Sequence, residues 1–552
     1  MEDLQQSVMN GALIHICNGT KGIIKNRCSV PTGMEKSMIQ IIVSDRAYDN
    51  DVHPIVKAFY PEEEIVISDL PEGQKLSDIE KEFDAAAVSG VIDSVDNMPA
   101  EEITIRCIGM EFDKDRISIV IIKNSGRSHR LTADCTLDPV KDKPAYKNAM
   151  KRHLYRMLSS LSKKELPWGI LTGIRPTKLI YKMLDDGLDD EVYGRMEKEY
   201  LCSRDKIATG ILIARREKEL LHELDYKKGY SLYIGIPFCP STCLYCSFPS
   251  FSVEKYADLV EGYLEALEAE IRYGAACFPD KRLTTVYLGG GTPTTLSEKQ
   301  LDRLLGLIRE LYDFTYVKEF CVEAGRPDSI TKEKLQVLKR WGVDRISINP
   351  QTMQQRTLDL IGRRHTVEQI CEAFHMARDT GHDNINMDII IGLPGETPDD
   401  ITDTLNKIKS LNPDSLTVHT LAVKRAARLN TEKDNYRDIK AQDVQAMLEV
   451  SMKFAKDNNY IPYYLYRQKN MADNLENIGY ARHGKEGLYN ILIMEEKQTI
   501  LALGAGAMSK FVSHNRAEIE RVDNVKNLKD YISRIDEMIR RKAEFLAANP
   551  HI

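Results

Sequence analysis

Three cysteines stand close together in IGIPFCPSTCLYCSF at 234–248: Cys239, Cys243 and Cys246, spaced C-x3-C-x2-C directly after a β-rich stretch. Three thiolates at this spacing can converge on one iron–sulfur cluster and leave one iron without a protein ligand. Two other chemistries draw on the same residue type. A structural zinc site wants a fourth ligand, and the first histidine after the group is His365. A redox pair leaves the third sulfur unexplained, since no C-x2-C stands alone. The spacing favours a [4Fe–4S] cluster with an open iron. Further along, GGGTPT at 289–294 is a run in which a backbone can approach a ligand closely. Polar residues follow: Glu323 in EFCVEAGRPD, Gln351 after RISINP, Arg363 in LIGRRH and Asp388 in NINMDIIIGLPGET.

All of these residues lie at or just beyond short β-rich stretches, and those stretches alternate with helical ones. SLYIGI at 231–236 precedes a helix near 253–273, TTVYL at 284–288 one over 298–311, and EFCVE at 319–323 one over 332–340. RISIN at 345–349 then precedes 366–379, NINMDII at 384–390 precedes 400–409, and SLTVH follows at 415–419. Six such repeats imply an α/β fold with parallel strands and helical crossovers, whose ligand side is the carboxyl end of the strands. Ser297 with Gln300 three residues on is a capping-box signature.

Flanking regions read differently. Residues 1–145 carry short apolar stretches (12–17, 37–43, 117–122) between charged segments and suggest an N-terminal α+β domain without recognisable chemistry. Residues 146–228 form a basic helical linker region. Within it, Leu154, Leu158 and Leu161 alternate with Lys151, Arg152 and Arg156 on a helix over 147–164, before the punctuated LPWGILTGIRPTK. This helix and the TGIRPTK segment are expected to pack on the αβ-repeat region or to help admit an anionic substrate. The repeats occupy 229–429, and 430–552 is a mostly helical C-terminal extension covering the substrate side.

Composition narrows the class. The 552 residues carry a net charge of −7 with 29% charged and 42% apolar residues, which gives no long-range reason to expect nucleic acid as a partner. No apolar run approaches the roughly 20 residues of a membrane span. The start, MEDLQQSVMN, lacks a secretory signal pattern, so a cytoplasmic location is expected. The 11 cysteines, with one dense group, do not resemble a disulfide scaffold.

With IPF before the cysteines and the glycine run one βα unit later, the chain resembles the radical SAM superfamily and, within it, the oxygen-independent coproporphyrinogen III oxidase family. LPWGILTGIRPTK, VEAGRPD, LTVHTLAVKRA, YYLYRQKNMADNLENIGYA and LYNILIMEE are similar to its HemZ-type coproporphyrinogen dehydrogenase branch, so the resemblance spans about residues 150–510. It implies a partial (β/α)6 barrel with the [4Fe–4S] cluster on Cys239, Cys243 and Cys246, and S-adenosylmethionine (SAM) on the open iron. It further implies that Gly290 and Gly291 receive the cofactor's ammonium, that Thr292 belongs to the same cofactor shell, and that Tyr245 lies near its adenine and Tyr233 near the cluster. Glu323, Gln351, Arg363 and Asp388 would hold its carboxylate, amino and ribose groups; Arg364, adjacent, cannot be ranked against Arg363.

The implied reaction is oxidative decarboxylation of coproporphyrinogen III to protoporphyrinogen IX, with electrons from a flavodoxin- or ferredoxin-type donor. A tetrapyrrole with four carboxylates wants a large apolar pocket with basic groups at its rim, for which Lys424, Arg425 and RQK at 467–469 are candidates. Two positions depart from the family's pattern: Gly235 stands where a histidine is common, and Phe248 where the oxidases carry a further cysteine. A heme-binding or heme-chaperone protein of the same superfamily, or another radical tetrapyrrole-modifying enzyme, is the alternative.

Overall fold

The computed structural model describes residues 38–61, 63–87, 105–113, 115–123, 128–173, 175–423, 427–432, 436, 441–467, 475–513 and 518–550. The chain divides into two units, 1–37 and Met38–Ile552, and every described residue belongs to the second. The apolar stretch at 12–17 lies outside the described residues.

A five-stranded sheet comes first: β1 (Met38–Val43), β2 (Glu64–Asp69), β3 (Ile105–Asp113), β4 (Arg116–Lys123) and β5 (Ser128–Asp134), in the order β2-β1-β3-β4-β5. Ile39, Ile41 and Val43 alternate onto one face, where Leu154, Leu158 and Leu161 of the helix Lys143–Ser162 complete the core. That helix therefore packs on the N-terminal sheet, contrary to the expectation that it packs on the repeat region. Its Lys147 and Lys151 pair with Asp51 at 2.6 and 2.8 Å. The TGIRPTK segment instead reaches the C-terminal extension, at the end of the helix Leu488–Glu495. Arg175 donates to Glu496 at 2.6 Å and to the carbonyl of Met494.

The second sheet holds the repeats. Its strands are β6 (Gly229–Ile236), β9 (Arg282–Gly290), β10 (Glu319–Gly325), β11 (Arg345–Ile348), β12 (Ile385–Ile391) and β13 (Ser415–Thr420), adjacent in chain order and parallel throughout. A two-stranded ribbon, β7 (Phe238–Cys239) with β8 (Phe251–Ser252), interrupts the first crossover. After β13 the chain supplies β14 (Ile461–Tyr466), β15 (Asn477–Ala481), β16 (Thr499–Leu503), β17 (Met508–Ser513) and β18 (Glu518–Asp523). Among the described residues the order is β14-β15-β13-β12-β11-β10-β9-β6-β16-β17-β18. The C-terminal extension thus carries helices, as expected, and also strands that flank both sides of the six, which the sequence reading did not place.

Crossover helices fall at Val260–Ala275, Glu298–Leu311, Lys332–Arg340, Val367–Asp379 and Pro398–Leu411. Ser297 and Gln300 form both capping-box bonds, and Thr366/Gln369 and Thr397/Asp400 repeat the device. The first helix begins later than its sequence pattern suggests, because Phe251 and Val253 donate to the carbonyls of Pro237 and Cys239 and hold that stretch extended. Along β12, Met387, Ile389 and Ile391 are buried on one face, whereas Asn386, Asp388 and Ile390 point into the sheet's concavity. Among the described residues no helix is long and apolar enough to cross a membrane.

Candidate active site

The cysteine loop hangs between the ribbon strands. Leu244 donates to the carbonyl of Ile361 and accepts from Leu429 N–H, both at 2.9 Å, while Ser241 Oγ donates to the carbonyl of Gly362 at 3.0 Å. Cys239 Sγ lies 3.5 Å from Thr292 Oγ1, and Cys243 Sγ 3.8 Å from Arg326 Nη1. Burial pushes the bare Cys239 thiol up to about 11, so a thiolate there calls for the positive charge of a metal. Among the described residues no three His, Cys, Asp or Glu side chains converge as they would on a single ion. His365, the fourth zinc ligand the sequence offered, is turned toward Asp328 at 3.7 Å.

The glycine run turns directly off β9. Gly291 and Thr292 donate to the carbonyls of Ile236 and Phe238 at 2.8 and 2.7 Å. A Cβ at Gly291 would stand 2.6 Å from the oxygen of Phe238, and Gly290 adopts φ +103°, so this turn admits no side chain. Around it lies a cavity of roughly 650 Å³ lined by all twelve residues that the sequence singled out: three cysteines, Tyr233, Tyr245, Gly290, Gly291, Thr292, Glu323, Gln351, Arg363 and Asp388.

Several groups facing this cavity lack protein partners. Arg363 is 5% exposed and donates through Nη1 to the carbonyl of Asn349, while its Nε has no acceptor. Gln351 Oε1, Asn349 Oδ1 and Ser347 Oγ are also buried and unpaired. A buried guanidinium with a free donor suits an anionic group, and a row of acceptors suits ammonium or hydroxyl donors. These are the groups of an amino-acid-bearing nucleoside, so the residues present fit SAM. Arg364, by contrast, is exposed, which separates the adjacent arginines.

Electrostatics distinguish the two acids. Burial raises the Glu323 carboxyl to about 7, partly opposed by the hydrogen bond from Tyr287 and assisted by the nearby charge of Asp388. At Asp388 burial also pushes upward, but hydrogen bonds from His419, Asn386 and Thr417 outweigh it and hold the group below its ordinary value. His419 Nε2 lies 3.7 Å from Asp388, and Nδ1 lies 3.4 Å from the Tyr466 hydroxyl.

Sequence reasoning missed part of this wall. Tyr233, Tyr287 and Tyr489 form a stack, with ring centroids 6.2 Å apart for Tyr233–Tyr287 and 4.4 Å for Tyr287–Tyr489. Strand alternation from Glu323 could have found Cys321, but Tyr489 arrives from the distant helix Leu488–Glu495. Of the basic rim candidates, Arg467 is 2% exposed and donates to the carbonyl of Leu171, so it joins the linker region to β14 and is no rim group. Gln468, Lys469, Lys424 and Arg425 lie outside the described residues. Gly235 is packed where a Cβ would meet the carbonyl oxygen of Leu503 at 3.3 Å, and Phe248 stands 63% exposed at the cavity mouth.

Comparison with known proteins follows the same lines. The Radical SAM superfamily profile matches residues 233–408. The oxygen-independent coproporphyrinogen-III oxidase-like protein HemZ of Bacillus subtilis is 44% identical over 384 residues, 69% of this chain and 77% of that protein. The heme chaperone HemW of the same organism is 33% identical over 310 residues, 56% of this chain and 76% of HemW. The oxygen-independent coproporphyrinogen III oxidase of Salmonella typhimurium is 36% identical over 196 residues, 36% of this chain and 42% of that enzyme. The chain therefore belongs to the radical SAM superfamily, in the HemZ-like group related to oxygen-independent coproporphyrinogen III oxidases, and its cofactors are a [4Fe–4S] cluster and S-adenosylmethionine.

Proposed function

We propose that this protein is an oxygen-independent coproporphyrinogen III oxidase (dehydrogenase) that converts two propionates of its substrate to vinyl groups, giving protoporphyrinogen IX. The observation that supports this most is the convergence of the twelve residues, several with unpaired buried polar atoms, on one cavity at the carboxyl ends of six parallel strands. In this reading Cys239, Cys243 and Cys246 hold the cluster. Arg363 pairs with the cofactor's carboxylate, Glu323 and the Gly290–Gly291 carbonyls take its ammonium, Gln351 and Asp388 meet amino and ribose donors, and Tyr245 packs by the adenine. Residues 229–429 carry the chemistry and 430–552 close the substrate side.

When bound, the two groups supply a 5′-deoxyadenosyl radical able to take a hydrogen atom from an unactivated carbon. The chain's own residues fix which carbon is offered and keep water away. The stacked tyrosines 233, 287 and 489 give an apolar wall against which a pyrrole ring can rest. A propionate that gives up a β-hydrogen then loses CO2 and one electron to leave a vinyl group, so the site needs an electron acceptor as well as a flavodoxin- or ferredoxin-type donor for the cluster.

The test is an anaerobic assay of cluster-loaded protein with SAM, a reductant and coproporphyrinogen III, following 5′-deoxyadenosine and tetrapyrrole mass together. A product lighter by CO2 and two hydrogens per converted side chain is expected. Cofactor cleavage without that product rejects the oxidase reading. The match to HemW over 76% of its length favours heme binding as the second reading, for which saturable heme titration is the discriminating measurement.

A further inference from the structure

Behind the cysteine loop lies a buried charge relay that neither the ligand spacing nor the cofactor shell accounts for. Arg326 follows β10 and is 3% exposed. Its guanidinium forks onto Asp328, Nε to Oδ1 at 2.9 Å and Nη2 to Oδ2 at 2.6 Å. The remaining nitrogen, Nη1, points the other way, donating to Ser241 Oγ at 2.8 Å and the Ser241 carbonyl at 3.1 Å, and reaching Cys243 Sγ at 3.8 Å. His365, 1% exposed, backs the far side of Asp328. A planar fork can serve a carboxylate with one edge and a sulfur with the other, which an ammonium cannot.

We infer that Arg326 is a potential-setting positioning residue: it acts through Cys243, stabilising the reduced form of the cluster by charge-assisted hydrogen bonding to a ligand sulfur, while Asp328 sets how much of that charge the sulfur feels. Donors to ligand sulfurs withdraw electron density and favour the more negative, reduced cluster. Arg363 also approaches Cys243 and both guanidiniums line the cavity, but of the two it is Arg326 whose guanidinium is forked onto a carboxylate. The redox event is a one-electron reduction by an external low-potential donor, with no bond made or broken at Arg326. This inference rests on Cys243 being a cluster ligand.

The test is the midpoint potential of the cluster in anaerobically reconstituted full-length protein, read by electron paramagnetic resonance during titration with a dithionite or titanium(III) reductant, without substrate. Arg326→Gln should lower the reduced-to-oxidised ratio at a given potential about ten-fold, equivalent to about 59 mV for one electron. Asp328→Asn, which leaves the guanidinium uncompensated, should shift the potential upward. Opposite signs are the signature, since a merely structural pair would move both variants alike. Equal potentials at wild-type iron content, shifts of the same sign, or loss of the cluster from both variants overturn the inference. If Arg326→Gln alone loses its cluster, the sign in Asp328→Asn decides. A wild-type protein that assembles no cluster, or a Cys243→Ala variant with full iron, would instead sink the ligand assignment.

Discussion

Glu323 carries opposing demands: burial raises its carboxyl to about 7, yet the proposed partner is the ammonium of SAM, which wants a carboxylate. An acid raised from 4.5 to about 7 favours folding fully below its ordinary value, and that contribution is lost as pH rises through 7. For a ligand that binds the ionised form the sign reverses. SAM affinity of the cluster-loaded protein is expected to rise about ten-fold per pH unit below about pH 7 and to level off above it. Calorimetry across pH should show this slope in the wild type and lose it in Glu323→Gln; an unchanged slope in the variant removes Glu323 from the cofactor's ammonium. The glycine run, Glu323, Gln351 and Asp388 were legible because each lies on or just beyond a strand. Arg326 and His365 were not, because their roles depend on which loops meet behind the cysteines. Likewise the order of Arg363 and Arg364 emerged only from which one is buried.

At the scale of elements, the helix Leu488–Glu495 is positioned by one buried acid. Glu319, at the start of β10, accepts the N–H groups of Leu488 and Tyr489 at 2.7 and 3.0 Å, satisfying donors that open a helix. This sets Tyr489 against Tyr287. Glu319→Ala should therefore cost about 1–3 kcal/mol by leaving those donors buried without acceptors, and should change the near-ultraviolet circular dichroism of the tyrosine stack, whereas Glu319→Gln should retain part of both. Urea unfolding indistinguishable from wild type would show that the helix is held by packing alone. The crossover helices over 298–311 and 332–340 were legible to the residue, the first because its periodicity coincides with the Ser297 start. The five strands described after residue 460 were not: they are short, and they become strands because β15 pairs with β13 and β16 with β6, the others adding on to these.

Across the whole molecule, the helix Ile535–Ala548 is tied to the first crossover helix by a fully buried ion pair. Lys542 and Glu270 are both 0% exposed and meet at 2.8 Å, and Glu270 also accepts from Gly504 N–H and Asn524 at 2.8 Å and from Tyr531 at 2.6 Å. Through Gly504 this network fixes the turn whose Ala505 and Gly506 line the cavity. Lys542→Ala is expected to destabilise by about 3–5 kcal/mol, because it strands a buried carboxylate, whereas Lys542→Met combined with Glu270→Gln, which removes that charge and keeps an acceptor for Gly504 N–H, should recover part of that loss. Thermal unfolding of both variants checks it, and a single variant as stable as wild type would deny the pair its role.

The strands bordering the six-stranded sheet have a consequence in time. β15 covers β13 and β16 covers β6, and both are encoded after the last strand of the six. A ribosome adding roughly 5–20 residues per second needs on the order of tens of seconds to pass from β6 to β16. For that interval the nascent sheet has an unpaired edge running straight into three thiols, and unpaired edges attract other strands. The cysteine loop thus leaves the ribosome well before the segment that completes the sheet beside it, so its thiols and the unpaired strand edge emerge in the same window.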